Sequence, residues 1–153
     1  MPSSRLADCA NPLAVAWVDI LAEYRETHPG CDLIITCTRR SAEEQWELFK
    51  QGRVLRDGLW VEDDDPRTGI VTKIDGKIKQ SKHNSNLAAA IDACVLIQGK
   101  PSWKVGDYLD YGRLAQACGL VWGGTWGAPV ETVWDRIKKK QFVDAPHIEL
   151  KEG

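Results

Sequence analysis

Apolar residues recur at helical spacing through Leu13, Ala16, Trp17, Ile20, Leu21 and Tyr24, which predicts an amphipathic helix with one buried stripe. Asn11-Pro12 predicts its start, an N-cap followed by a proline at the first helical position, and His28-Pro29-Gly30 predicts its end. Leu33-Ile34-Ile35, within 32–36, predicts a short strand. Ser41-Ala42-Glu43-Glu44 has the form of a capping box, and the helix it opens carries Trp46 and Phe49 and stops near Gly52. The turn-rich, charged stretch 53–69 predicts a long surface loop, and 71–78 predicts a hairpin about Asp75-Gly76.

Residues 87–97 are almost continuously apolar and predict a buried strand with Asp92 in its middle. A second helical pattern covers 107–118 and stops at Gly119, before the glycine-aromatic run Val121-Trp122-Gly123-Gly124-Thr125-Trp126-Gly127. Residues 142–150 predict a last strand, carrying His147. With no repeat, low-complexity tract or linker, this alternation predicts a single α+β domain over 1–153.

Composition narrows the function. The chain has 153 residues, enough to bury one core, and 27% are charged with a net charge of −2. That balance gives no reason to expect nucleic acid or an anionic membrane as a partner. Lys138-Lys139-Lys140 reads as a solvated surface run. No stretch reaches the roughly 20 apolar residues that span a bilayer. Leu6-Ala7-Asp8-Cys9 lacks the hydrophobic segment that a lipoprotein signal needs, so a membrane anchor is not expected. Five cysteines at irregular spacing, with no CxxC pair and no export signal, predict reduced, mostly buried thiols and synthesis in a reducing cytoplasm.

The candidate chemistry lies in two of the three histidines. Ser81-Lys82-His83 leads toward the strand bearing Asp92, and Asp144-Ala145-Pro146-His147 lies near the end of the chain. A carboxylate inside Leu87-Ala88-Ala89-Ala90-Ile91-Asp92-Ala93-Cys94-Val95 is costly to bury alone, so it calls for a metal or for an arginine or lysine partner. Two imidazoles and one carboxylate make a three-ligand set that leaves zinc a fourth position for water. His28, in a helix-ending turn, reads as a surface residue.

In order, Ser81-x-His83, Ala90-x-Asp92 and Asp144-x-x-His147 resemble the LAS group of zinc peptidases (family M15). That group takes in D-Ala-D-Ala carboxypeptidases, vancomycin-resistance dipeptidases and phage L-alanyl-D-glutamate endolysins. Thr38-Arg39-Arg40-Ser41 with Glu44-Gln45, Leu48 and Gly52-Arg53 looks like the group's arginine segment. Gly99-Lys100-Pro101-Ser102-Trp103, the 119–126 run and 142–149 resemble the phage endolysin branch, and the resemblance covers about 31–150. One departure is that Asn86 stands where the group commonly has glycine. Asp92 also follows His83 by nine residues rather than the usual seven, a difference of two that keeps the same strand face.

The resemblance implies a small antiparallel sheet carrying the ligands, flanked by helices. It implies one zinc ion on His83, Asp92 and His147 plus water, Asp144 as proton acceptor, and Arg40 at the oxyanion or a substrate carboxylate. Arg39 is adjacent and could serve instead. Taken alone, Asp144 reads as a turn residue and Ser81 as a loop hydroxyl, whereas the group makes Ser81 a substrate contact or a support of the His83 loop. Trp122 and Trp126 are candidates to wall the cleft, although aromatic residues more often serve the core. Glu149 shares a strand face with His147 and could orient it. The acidic run 62–65 could hold calcium, against a solvated-loop reading.

The implied reaction is hydrolysis of the L-Ala–D-Glu bond of peptidoglycan by an endolysin, expected to be a monomer and to be held in the host cytoplasm until release. A D,D-carboxypeptidase and a noncatalytic zinc-containing wall-binding module are the alternatives.

Overall fold

The computed structural model describes residues 2–62, 75, 81–85 and 87–152. The expected hairpin at 71–78, the acidic run beyond Glu62 and Asn86 lie outside these residues, Asp75 excepted.

Helix α1 (Asn11–Thr27) buries Leu13, Ala16, Trp17, Ile20 and Tyr24, the stripe its periodicity predicts. It starts differently from expectation: Ala10 takes the N-cap place, with no side-chain cap, and Asn11 is already helical. The cause is strand-like pairing just before it, where Cys9 bridges Ala88 and the Ala10 amide donates to the Ala88 carbonyl. After Gly30, at φ +82°, strand β1 (Cys31–Cys37) follows. Helix α2 (Ala42–Lys50) opens with both halves of the Ser41–Glu44 capping box in place.

Residues 53–62, expected as part of a loop, form an antiparallel hairpin of β2 (Arg53–Arg56) and β3 (Leu59–Glu62). Asp57 and Gly58 between them both have positive φ, 49° and 79°, the type I′ conformation that an Asp-Gly pair favours in two-residue hairpins. Strand β4 (Ala90–Ile97) is followed by β5 (Lys100–Ser102), helix α3 (Leu109–Ala117), β6 (Val121–Trp122), helix α4 (Val133–Lys138) and β7 (His147–Glu149).

The main sheet runs β1-β4-β7-β6, with β5 also paired to β4, and every pairing is antiparallel. The fold is therefore the expected α+β arrangement. Because strand side chains alternate, Ile91, Ala93 and Val95 enter the core under α1 and α3, whereas Asp92 points to the opposite face. Ile148 likewise joins the core, and its neighbours His147 and Glu149 share the face of Asp92. Among the described residues, no helix is long and apolar enough to cross a membrane.

Candidate metal centre

The site forms on the sheet face away from α1. Register sets its middle: Asp92 lies directly opposite His147 on β7 and opposite Cys37 on β1. Cys37 reaches that place through an irregularity in the β1–β4 register between Ile35 and Cys37. His83 arrives from a single 3₁₀ turn, Lys82–Asn84, rather than from a strand as expected.

That turn is built by its cap. The Ser81 hydroxyl accepts from the His83 amide at 3.2 Å, and Asn84 Oδ1 accepts from the Ser81 amide at 2.7 Å. Ser81 thus shapes the His83 turn. Asn84 also donates to the carbonyls of Arg40 (2.8 Å) and Ser41 (3.2 Å), while the Arg40 amide donates to the His83 carbonyl. The arginine turn and the histidine turn are therefore bonded to each other.

The polar groups converge on Asp92. His147 Nδ1 lies 3.1 Å from its Oδ1, His83 Nε2 lies 3.4 Å from its Oδ2, and Arg40 Nη2 lies 3.7 Å from Oδ2. Two groups of possible ligand atoms share this carboxylate, one with Cys37 and His83 and the other with Asp144 and His147. Cys37 was not anticipated from sequence, and without the register irregularity nothing in the spacing directs its thiol toward Asp92. Its Sγ lies 3.8 Å from His83 Nδ1, the edge of the ring that also meets the Thr38 carbonyl, so it sits behind the imidazole relative to Nε2.

The donor set suits a divalent metal. With His83 Nδ1 bonded to the Thr38 carbonyl, Nε2 is left toward Asp92, and that buried nitrogen has no hydrogen-bond partner. On the other imidazole, Nε2 meets Glu149 Oε1 at 2.8 Å and Nδ1 is left toward Asp92. Two imidazole nitrogens and one carboxylate are ligands that zinc accepts, but His83 and His147 address different oxygens of Asp92, and their donor atoms fall in separate groups rather than one.

Electrostatics mark the same point. Burial opposes protonation of the imidazoles, but the nearby Asp92 carboxylate, with Cys37 at one ring and Glu149 at the other, overrides it and pushes His83 up to about 10 and His147 up to about 9. Burial would raise the Asp92 carboxyl, yet the two histidines hold it well below the usual carboxylate range. Asp144 goes the other way: burial, then the charge of Asp92, pushes it up to about 6.

Asp144 is held by its backbone. Its amide donates to the Gly123 carbonyl at 2.8 Å, and its carbonyl accepts from the His147 amide at 3.1 Å. A Cβ on Gly123 would lie 2.3 Å from the Asp144 carbonyl oxygen and 2.9 Å from His147 Cβ, so this approach requires glycine. Arg40 turns inward, with Nη1 on the buried Gln45 at 2.7 Å, whereas Arg39 is exposed.

The two tryptophans part company. Trp126 stands beside the site, its ring 5.3 Å from that of His147 and 5.7 Å from that of Phe142. Trp122 has no exposed surface and cannot wall a cleft: opposite Ile148 in register, it enters the core and donates to the Ala145 carbonyl at 2.7 Å. Glu149, the expected orienting group, lies against His147.

Two of the known proteins that this chain is similar to bear on the fold and the site. Peptidoglycan L-alanyl-D-glutamate endopeptidase CwlK of Bacillus subtilis (strain 168) is 31% identical over 130 residues, covering 79% of this chain. The chain spans 62% of that relative's length. The crystal structure of Serratia marcescens L-Ala D-Glu endopeptidase ChiX superposes with a TM-score of 0.57 at 19% identity, covering 95% of this chain and 83% of that one. At that identity the likeness concerns the fold. No protein-family profile matches the chain.

Proposed function

The chain is a relative of the L-alanyl-D-glutamate endopeptidases of the LAS/M15 group, and from that premise we propose that it hydrolyses the L-Ala–D-Glu bond of peptidoglycan stem peptides as a zinc-dependent endolysin. The observation that carries this reading is the meeting of two buried imidazoles on one partly buried carboxylate, with the raised Asp144 carboxyl beside them. His83, Asp92 and His147 would hold the ion. Zinc there would polarise the scissile carbonyl and bring a water toward its nucleophilic form at neutral pH.

The remaining work falls to the chain's own groups. Asp144 takes a proton from the attacking water and returns it to the departing amine. Burial favours the protonated form of Asp144, and so its uptake of a proton from the water. Arg40, anchored through Gln45, offers its guanidinium to the carbonyl oxygen as negative charge develops there. Trp126 and Phe142 form an aromatic wall beside His147 against which the stem peptide can lie. The endolysin role rests on the phage-like motifs, in particular Gly119-Leu120-Val121-Trp122-Gly123-Gly124-Thr125-Trp126.

Mass spectrometry of purified sacculi digested by the zinc-loaded protein, with a chelated control, tests the reading. New D-Glu amino termini absent from the control are expected. Release of free D-Ala with L-Ala–D-Glu bonds intact would make the protein a D,D-carboxypeptidase. Unchanged muropeptides would leave a noncatalytic wall-binding module.

A further inference from the structure

We propose that Lys82 and Glu149 form a positioning pair for His147, Glu149 holding the imidazole and Lys82 holding Glu149; this rests on the metallopeptidase reading above. Glu149 is two residues beyond His147 on β7, so both side chains leave the same face of the strand. Its Oε1 lies 2.8 Å from His147 Nε2, and its Oε2 lies 3.1 Å from Lys82 Nζ. Each carboxylate oxygen thus has its own partner. An imidazole that is neutral, as a metal ligand must be, and that donates from Nε2 presents its lone pair at Nδ1, the edge 3.1 Å from Asp92.

Lys82 is the residue before His83. The turn that delivers one imidazole therefore also fixes the carboxylate that aims the other. Lys82 Nζ donates to the Leu150 carbonyl as well, so it is tied to the end of β7 by backbone and side chain together. Ala89 completes the link, its amide donating to the Lys82 carbonyl and its carbonyl accepting from the Leu150 amide, both at 2.9 Å. A solvent-exposed lysine–glutamate pair contributes little. Here the side chains are only 23% and 17% exposed, and the carboxylate is shared with a ring that must point one way.

The test measures zinc affinity by competition with a chromophoric chelator for the wild type, E149A, E149Q, K82M and K82M/E149A. It also reads, by ¹⁵N NMR of the zinc-loaded protein, which ring nitrogen of His147 carries the proton. E149A is expected to weaken zinc binding by about 10- to 100-fold and to mix the tautomers. E149Q preserves the shape and one acceptor oxygen, and should fall between E149A and the wild type. K82M should weaken binding less than E149A, and the double variant should be no weaker than E149A, because Lys82 acts through Glu149. Unchanged affinity and tautomer in E149A, or losses from K82M and E149A that simply add, would overturn the pair. Failure of the wild type to bind zinc would instead overturn the metallopeptidase reading, and the pair's role with it.

Discussion

Asp92 and His147 face each other directly across the β4–β7 pair, with Asp92 Oδ1 3.1 Å from His147 Nδ1. Strand register thus makes half of the candidate metal centre. A slip of one residue would send the carboxylate into the core side held by Ile91 and Ala93. D92N keeps the size of the side chain and removes its charge, leaving two imidazoles without their shared partner. Zinc content after dialysis, measured by plasma mass spectrometry, should fall well below one ion per chain, and peptidase activity should fall with it. Full zinc content in D92N would remove Asp92 from the ligand set.

Asp144 is close enough to Asp92 and His147 to be either a ligand or a proton carrier, and the two roles separate on substitution. As the proton carrier, D144A should lower the hydrolysis rate by about 10²- to 10⁴-fold while zinc stays bound. Zinc lost together with activity would make Asp144 a ligand or a structural residue. Activity that survived would shift the proton-carrying role to Glu149, the other carboxylate beside His147.

Arg40 should behave differently from its neighbour. R40A removes the guanidinium beside Asp92 and should cost about 10²- to 10³-fold in rate if it meets developing charge. R39A, at an exposed side chain, should leave the rate near that of the wild type. Steady-state kinetics on a stem-peptide fragment would decide, and equal losses in the two variants would argue against the assignment of Arg40.

The parts of this arrangement that were legible in sequence are those set by local rules. The stripe of α1, the Ser41–Glu44 box and the approach of Glu149 to His147 follow from helical period, cap chemistry and strand alternation. What was illegible depends on partners distant along the chain. Trp122 sits among glycines in a way that suits a cleft wall, but its pairing with Ile148 turns it into the core. Cys37 joins the site because of the β1 register irregularity, which no hydrophobic pattern announces. The β2–β3 hairpin is a different case: Asp57-Gly58 carried the turn signal, and the surrounding charge obscured it. Helix α4 is a single short element of six residues, too brief for its period to stand out.

Trp122 leads to a stability prediction whose sign is set by competing effects. Replacing a helical glycine with alanine ordinarily stabilises by about 1 kcal/mol. Gly112 lies in α3, where a Cβ would come 2.5 Å from Trp122 Cδ2 and 2.7 Å from Cε3. The ring has little room to retreat, because the Gly124 backbone packs so closely on its opposite part that even a Cβ there would lie 2.3 Å away, and its Nε1 is bonded to the Ala145 carbonyl. Overpacking of this kind costs about 1–3 kcal/mol, which outweighs the gain in propensity. G112A should therefore unfold at lower denaturant concentration than the wild type; a higher midpoint would show that the α3–Trp122 contact yields.

The end of α1 is tied to its surroundings by two carboxylates, and acid should release both. The hydrogen bond from Arg25 holds Asp32 below the usual carboxylate range, and the bond to His28 does the same for Asp110 on α3. A carboxyl depressed in the folded state contributes its full stability above the unfolded value, about 3.9, and loses it as the pH falls through the folded value. Both groups face solvent, so each effect is small, and the slope of stability against pH is a better readout than its size. Melting temperatures between pH 7 and pH 2.5 should fall on acidification for the wild type, starting near about pH 4. D32N and D110N should melt lower at neutral pH and fall less steeply in acid, the double variant least steeply of all. Acid limbs parallel to that of the wild type would mean that these contacts are equally satisfied with the carboxyls protonated, and that the acid sensitivity originates elsewhere, with Asp92 as the next group to vary.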